Sequence, residues 1–120
     1  RSGQQEVLIL GATGLREDHT LGNISLLMDY APLFRRIEML SDYGIFTPLR
    51  QTTTLASDPG TQVSLFSLTP SGTISTTGLR WPIRDRRLTA WWQGTLNEAT
   101  GDNFTVTLSP EARVIVYRTF

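Results

Sequence analysis

The stretch Asn103-Phe104-Thr105-Val106-Thr107-Leu108-Ser109 alternates polar and apolar side chains at every step. Phe104, Val106 and Leu108 fall on one side, Thr105 and Thr107 on the other. Successive side chains of a strand point to opposite faces, so the pattern predicts a strand with one face in a core and one toward water. Moving outward, residues 112–119 set Val114 and Val116 against Ile115 and Tyr117, which predicts a final strand covered on both faces. Upstream, residues 44–49, 52–55, 62–68, 73–77 and 88–93 also read as strands, with Trp91 and Trp92 on opposite faces of the last. Turn chemistry separates them. Asp58-Pro59-Gly60 carries the Pro and Gly placement of a type II turn, and Thr69-Pro70-Ser71-Gly72 is a second turn. Closely spaced strands of this kind predict an antiparallel β-sandwich or jelly roll over residues 42–120.

The first 41 residues differ. Residues 6–10 form a short apolar run suited to a strand buried on both faces of a parallel sheet. A glycine turn at Gly11 to Gly14 follows. A helix is expected over 18–31, with Leu21, Ile24, Leu27 and Met28 on one face and Pro32 ending it. Residues 36–40 are expected to return as a strand. The fold class is therefore α+β: an incomplete α/β, Rossmann-like remnant over 1–41, then the sandwich over 42–120. A doubly covered parallel sheet needs further strands, so the chain is expected to be part of a longer protein.

Composition narrows the function classes. Eleven Lys and Arg balance eleven Asp and Glu, so the net charge is zero. Nothing then draws the chain to phosphodiester backbones or acidic lipid, and no nucleic-acid or membrane partner is expected. Cysteine is absent, which excludes disulfides, thiolate metal sites and a Cys nucleophile. The single histidine, His19, excludes any site needing two imidazoles. The longest aliphatic run, residues 7–10, falls far short of the ~20 residues of a membrane helix. A soluble, cytoplasmic chain is expected.

Three clusters carry possible chemistry. In residues 11–20, GATGLREDHT, the Gly11 and Gly14 turn and the helix start that follows would let backbone N–H groups approach a phosphate. Arg16 would add a planar cation, and Asp18 would hold a divalent cation or cap the helix. A plain capped turn explains the same residues. A dinucleotide fingerprint fits less well, because Glu17 stands where the third glycine belongs. In residues 73–81, TISTTGLRW, hydroxyl residues lead through Gly78 to Trp81, whose indole before Pro82 is placed to stack on a flat or cationic ring or to fill the interior. In residues 94–98, GTLNE, Asn97 offers a donor and an acceptor to a heterocycle edge, or serves as a turn residue.

In this order and spacing the clusters resemble thiamine pyrophosphokinase over essentially the whole chain. Gly11, Ala12, Gly14, Arg16, Asp18, His19, Leu21 and Asn23 match that family's G-A-x-G-G-R-x-D-H segment and the L-x-N that opens its helix. Thr76, Thr77, Gly78, Leu79 and Trp81 match T-T-G-L-x-W, and residues 94–98 resemble the G-x-S-N-E segment. Leu15 and Leu96 depart from it, replacing a glycine and a serine.

The resemblance implies transfer of a diphosphoryl group from ATP to thiamine, with Mg²⁺, giving thiamine diphosphate and AMP. It implies phosphate contacts from Gly11, Gly14, Arg16 and His19, catalytic roles for Arg16 and Asp18, and Asp18 as a metal ligand beside main ligands upstream of Arg1. It implies thiamine contacts from Thr76, Thr77, Trp81 and Asn97, the thiazolium cation lying on the indole. It implies a homodimer whose active site lies between the nucleotide domain of one subunit and the β-domain of the other. The fragment alone is expected to be inactive. The alternative is a non-catalytic β-sandwich that binds thiamine or a related heterocycle.

Overall fold

The computed structural model describes residues 6–10 and 17–120, so Gly11, Gly14 and Arg16 lie outside the described residues, as does the side chain of His19. The alternating stretch forms strand β8 (Asn103–Leu108), with Phe104 and Val106 fully buried. It is the middle strand of a three-stranded antiparallel sheet, between β4 (Thr53–Ala56) and β6 (Ile74–Thr77). The final strand, β9 (Val114–Thr119), sits inside the second sheet, whose order is β1-β2-β3-β9-β5-β7. Its other members are β1 (Glu6–Leu10), β2 (Arg36–Leu40), β3 (Gly44–Leu49), β5 (Gln62–Ser67) and β7 (Asn97–Glu98). The two sheets face each other and make a sandwich.

Strand β9 explains why both faces read as apolar. Val114 and Val116 face the smaller sheet and join Leu49, Val63, Leu65, Leu55, Phe104 and Val106 in the sandwich core. Ile115 points the other way, into a second core with Leu27 and Met28 of helix α1 (Glu17–Tyr30) and with Ile37 and Met39 of β2. All three β9 residues are fully buried. Burial of each such side chain is worth about 1.5–3 kcal/mol.

Strands β1 and β2 run parallel with α1 between them, while β2 and β3 pair antiparallel, so one sheet runs through both halves of the sequence. The Asp58 to Thr61 turn closes with a 3.0 Å bond from Thr61 N–H to Asp58 C=O, and Gly60 takes φ +91° as the type II form requires.

Three expectations need correction. Strand β1 forms, but only one of its faces is covered: Leu8 and Leu10 are 53% and 65% exposed, since the described residues put nothing over that side. Leu21 is exposed at the start of α1, so the buried stripe begins one turn later, at the half-buried Ile24. Residues 88–93 are not a strand. Trp91–Gly94 is a 3-10 turn, because the side-chain Oε1 of Gln93 accepts from Thr89 and Ala90 N–H at 2.8 and 3.2 Å and curls the chain. Gly94 lies so close to the Leu65 carbonyl that any Cβ would collide with it. Trp91 packs edge-on to Phe66 and donates its indole N–H to Ser67 C=O, whereas Trp92 is 75% exposed.

Candidate functional site

The T-T-G-L-x-W segment begins at the end of β6 and runs into a loop that side chains hold by its backbone. Gly78 is the pivot. Its φ of +87° and its closeness to the backbone of Asn103 and Phe104 leave no room for a Cβ. Beyond it, residues 78–80 pair with 98–100: Thr100 N–H donates to Gly78 C=O at 3.0 Å and Arg80 N–H to Glu98 C=O at 2.8 Å. Further on, Thr76 N–H donates to Ile83 C=O at 2.8 Å, and the Thr76 hydroxyl accepts from Ile83 N–H at 2.9 Å. The Ser75 hydroxyl accepts from Asp85 N–H at 2.8 Å.

Asn97 closes the loop from the opposite side. Its Oδ1 accepts from Trp81 N–H at 3.1 Å, and its Nδ2 donates to Trp81 C=O at 2.7 Å. The preceding residue, Leu96, adopts φ +63°, a strained conformation for a residue with a Cβ, and is 81% exposed. No sequence pattern announced it.

These elements enclose a pocket of about 250 Å³. Trp81, Pro82, Ile83 and Arg86 form one wall and residues 93–97 the other. Trp81 is 53% exposed, so its indole is a surface and not core filling. Of the sequence-selected residues, Trp81 and Asn97 meet here, while Thr76 and Thr77 do not line the pocket. Thr76 is buried beneath the loop, Thr77 is exposed, and Asp18 is exposed on α1. Among the described residues, no carboxylate lines the pocket. The guanidinium of Arg80, which is not part of the lining, lies 4.8 Å from the Trp81 ring centroid and 3.7 Å from Glu98.

A larger cavity, of about 830 Å³, opens beside β2, β3 and β4. It contains none of the residues singled out in the sequence. Its charged wall is Glu38, with Arg36 and Arg118 both 3.1 Å from its carboxylate. Burial, the strongest influence, holds the Arg118 pKa below the usual arginine value, while Glu38 pulls it up. Among the described residues, no three His, Asp or Glu side chains gather as a metal site, so no step of a reaction is assigned to a metal. No helix among them is long and apolar enough to cross a membrane.

Residues 44–117, which hold the sandwich and the pocket, match the family model "Thiamin pyrophosphokinase, substrate-binding domain". "Thiamine pyrophosphokinase 2" of Oryza sativa subsp. japonica is 34% identical over an 88-residue alignment that covers 68% of this chain and 32% of that protein. Among solved structures, thiamin pyrophosphokinase from Geobacillus thermodenitrificans superimposes with a TM-score of 0.78 at 26% identity, over 94% of this chain and 53% of that one. Thiamine pyrophosphokinase from Bacillus subtilis shares the fold, with a TM-score of 0.79 at 21% identity, over 97% of this chain and 56% of that one. The chain therefore spans about a third of the curated relative and a little over half of these two structures.

Proposed function

This chain belongs to the thiamin pyrophosphokinase family through that family's substrate-binding domain, and on that premise we propose that its Trp81 pocket holds thiamine for transfer of a diphosphoryl group from ATP, giving thiamine diphosphate and AMP. The observation that carries the reading is the half-open indole of Trp81 at a pocket inside the matched region. A pocket of about 250 Å³ has room for a heterocycle.

Charge decides which ring of thiamine we place against the indole. Arg80 already supplies a cation to Trp81, and Arg86 stands in the pocket wall. A second cation on that ring gains little. The uncharged aminopyrimidine is therefore assigned to Trp81, in place of the thiazolium that the sequence suggested, and the thiazolium and its hydroxyethyl arm point outward.

The reaction belongs to a longer parent protein, since the relatives extend well beyond the length matched here. In that parent, residues 1–41 close the nucleotide-binding unit and residues 42–120 form the thiamine-binding unit. Gly11, Gly14, Arg16 and His19 hold ATP phosphates, and Asp18 contributes to an Mg²⁺ site. Trp81 and Leu96 both line the pocket and are both exposed. An apolar rim of this kind suits cover by the nucleotide unit of a second subunit in a cytoplasmic homodimer. Titration of tryptophan emission with thiamine tests the binding half of the reading. Saturable quenching by thiamine, with none by NAD, is expected.

A further inference from the structure

We propose that Asn97 is a positioning residue: its carboxamide clamps both backbone polar groups of Trp81 and fixes that residue in the pocket wall. The proposal rests on the thiamine-binding reading for its ligand but not for its geometry. Residues 79 and 99 pair antiparallel and Arg80 N–H donates to Glu98 C=O at 2.8 Å, so 80 with 98 is a hydrogen-bonded position and the following one, 81 with 97, is a position where facing backbones exchange no bonds. The backbone of Asn97 pairs on its other side with Val63 of β5. Oδ1 accepts from Trp81 N–H at 3.1 Å and Nδ2 donates to Trp81 C=O at 2.7 Å, so one carboxamide answers both backbone polar groups that the ladder leaves without a partner strand.

The chemistry specifies asparagine. The pair needs an acceptor and a donor side by side, which an aspartate cannot offer when ionised. Oδ1 also accepts from Glu98 N–H at 2.9 Å, which fixes the orientation of the amide. Asn97 is 7% exposed, so losing a partner there is not repaired by water. The same bonds leave Asn97 poorly placed to read a ring edge, the role the sequence suggested for it.

The test uses the 120-residue chain with Asn97→Asp and Asn97→Ala, measured by amide hydrogen exchange and by titration with thiamine and with its analogue whose ring amino group is replaced by oxygen. Trp81 N–H is expected to be protected in the native chain and to exchange roughly tenfold faster in Asn97→Ala, the loss of about one hydrogen bond, with Thr100 N–H unchanged. Asn97→Asp has the same shape and serves if the alanine variant does not fold. It is expected to weaken both ligands by the same factor, roughly tenfold. An unprotected Trp81 N–H in the native chain, or exchange unaltered by either variant, overturns the proposal. So does a variant that changes the preference between the two ligands, which would make Asn97 a reader of the ring. If the native chain binds neither ligand while Trp81 exchange responds as expected, the clamp stands and the thiamine reading fails.

Discussion

Glu38 of β2 and Arg118 of β9 lie 80 residues apart in sequence and form a 3.1 Å ion pair whose side chains are 10% and 12% exposed. The Thr47 hydroxyl donates to the same carboxylate at 2.8 Å. The pair joins the first and last thirds of the chain across β3. Glu38→Gln leaves the Arg118 charge nearly buried without its counter-ion, which costs about 3 kcal/mol. Urea unfolding should show that loss, and a smaller one when Glu38 and Arg118 are both replaced by methionine.

Gly78→Ala should destabilise by about 2 kcal/mol or more, since φ is +87° and the new Cβ would meet the Asn103 carbonyl oxygen at 2.9 Å. Thermal unfolding measures the effect. Thiamine affinity should fall with it, because the loop carrying Trp81 starts at this residue.

Leu96→Asn should move stability and binding in opposite directions. Asparagine tolerates the left-handed conformation that Leu96 holds at φ +63°, and the exposed leucine loses little burial, so stability should rise by about 0.5–1 kcal/mol. The apolar pocket wall is lost, so thiamine should bind more weakly. Paired unfolding and titration curves on one sample check both.

The chain by itself should not release AMP from ATP in the presence of Mg²⁺ and thiamine. Mass-spectrometric detection of AMP at an enzyme-like rate would show that residues 1–120 suffice for the reaction, against the reading that it needs the parent.

Much of the sandwich was legible because its signals are local. Phe104, Val106 and Leu108 alternate with threonines, and Pro59-Gly60 fixes a turn type without reference to the rest of the chain. The 3-10 turn at Trp91 was not legible. It depends on where the Gln93 side chain reaches and on the Leu65 carbonyl pressed against Gly94, and neither leaves a periodic trace. The apolar run of β1 suggested two covered faces, whereas coverage depends on what packs beside a strand. At the site, Trp81 was legible as an indole before a proline. The work of Thr76 and Asn97 was not, because a polar side chain beside a loop looks the same in sequence whether it bonds a ligand or the loop backbone.

The central claim is that the Trp81 pocket binds thiamine, and calorimetric titration of the 120-residue chain beside its Trp81→Ala variant tests it most directly. The account predicts one saturable site in the native chain and at least roughly tenfold weaker binding in the variant, which remains folded because the indole is largely outside the core. A folded native chain that takes up no thiamine at millimolar concentration, or a variant that binds as tightly as the native chain, would contradict it.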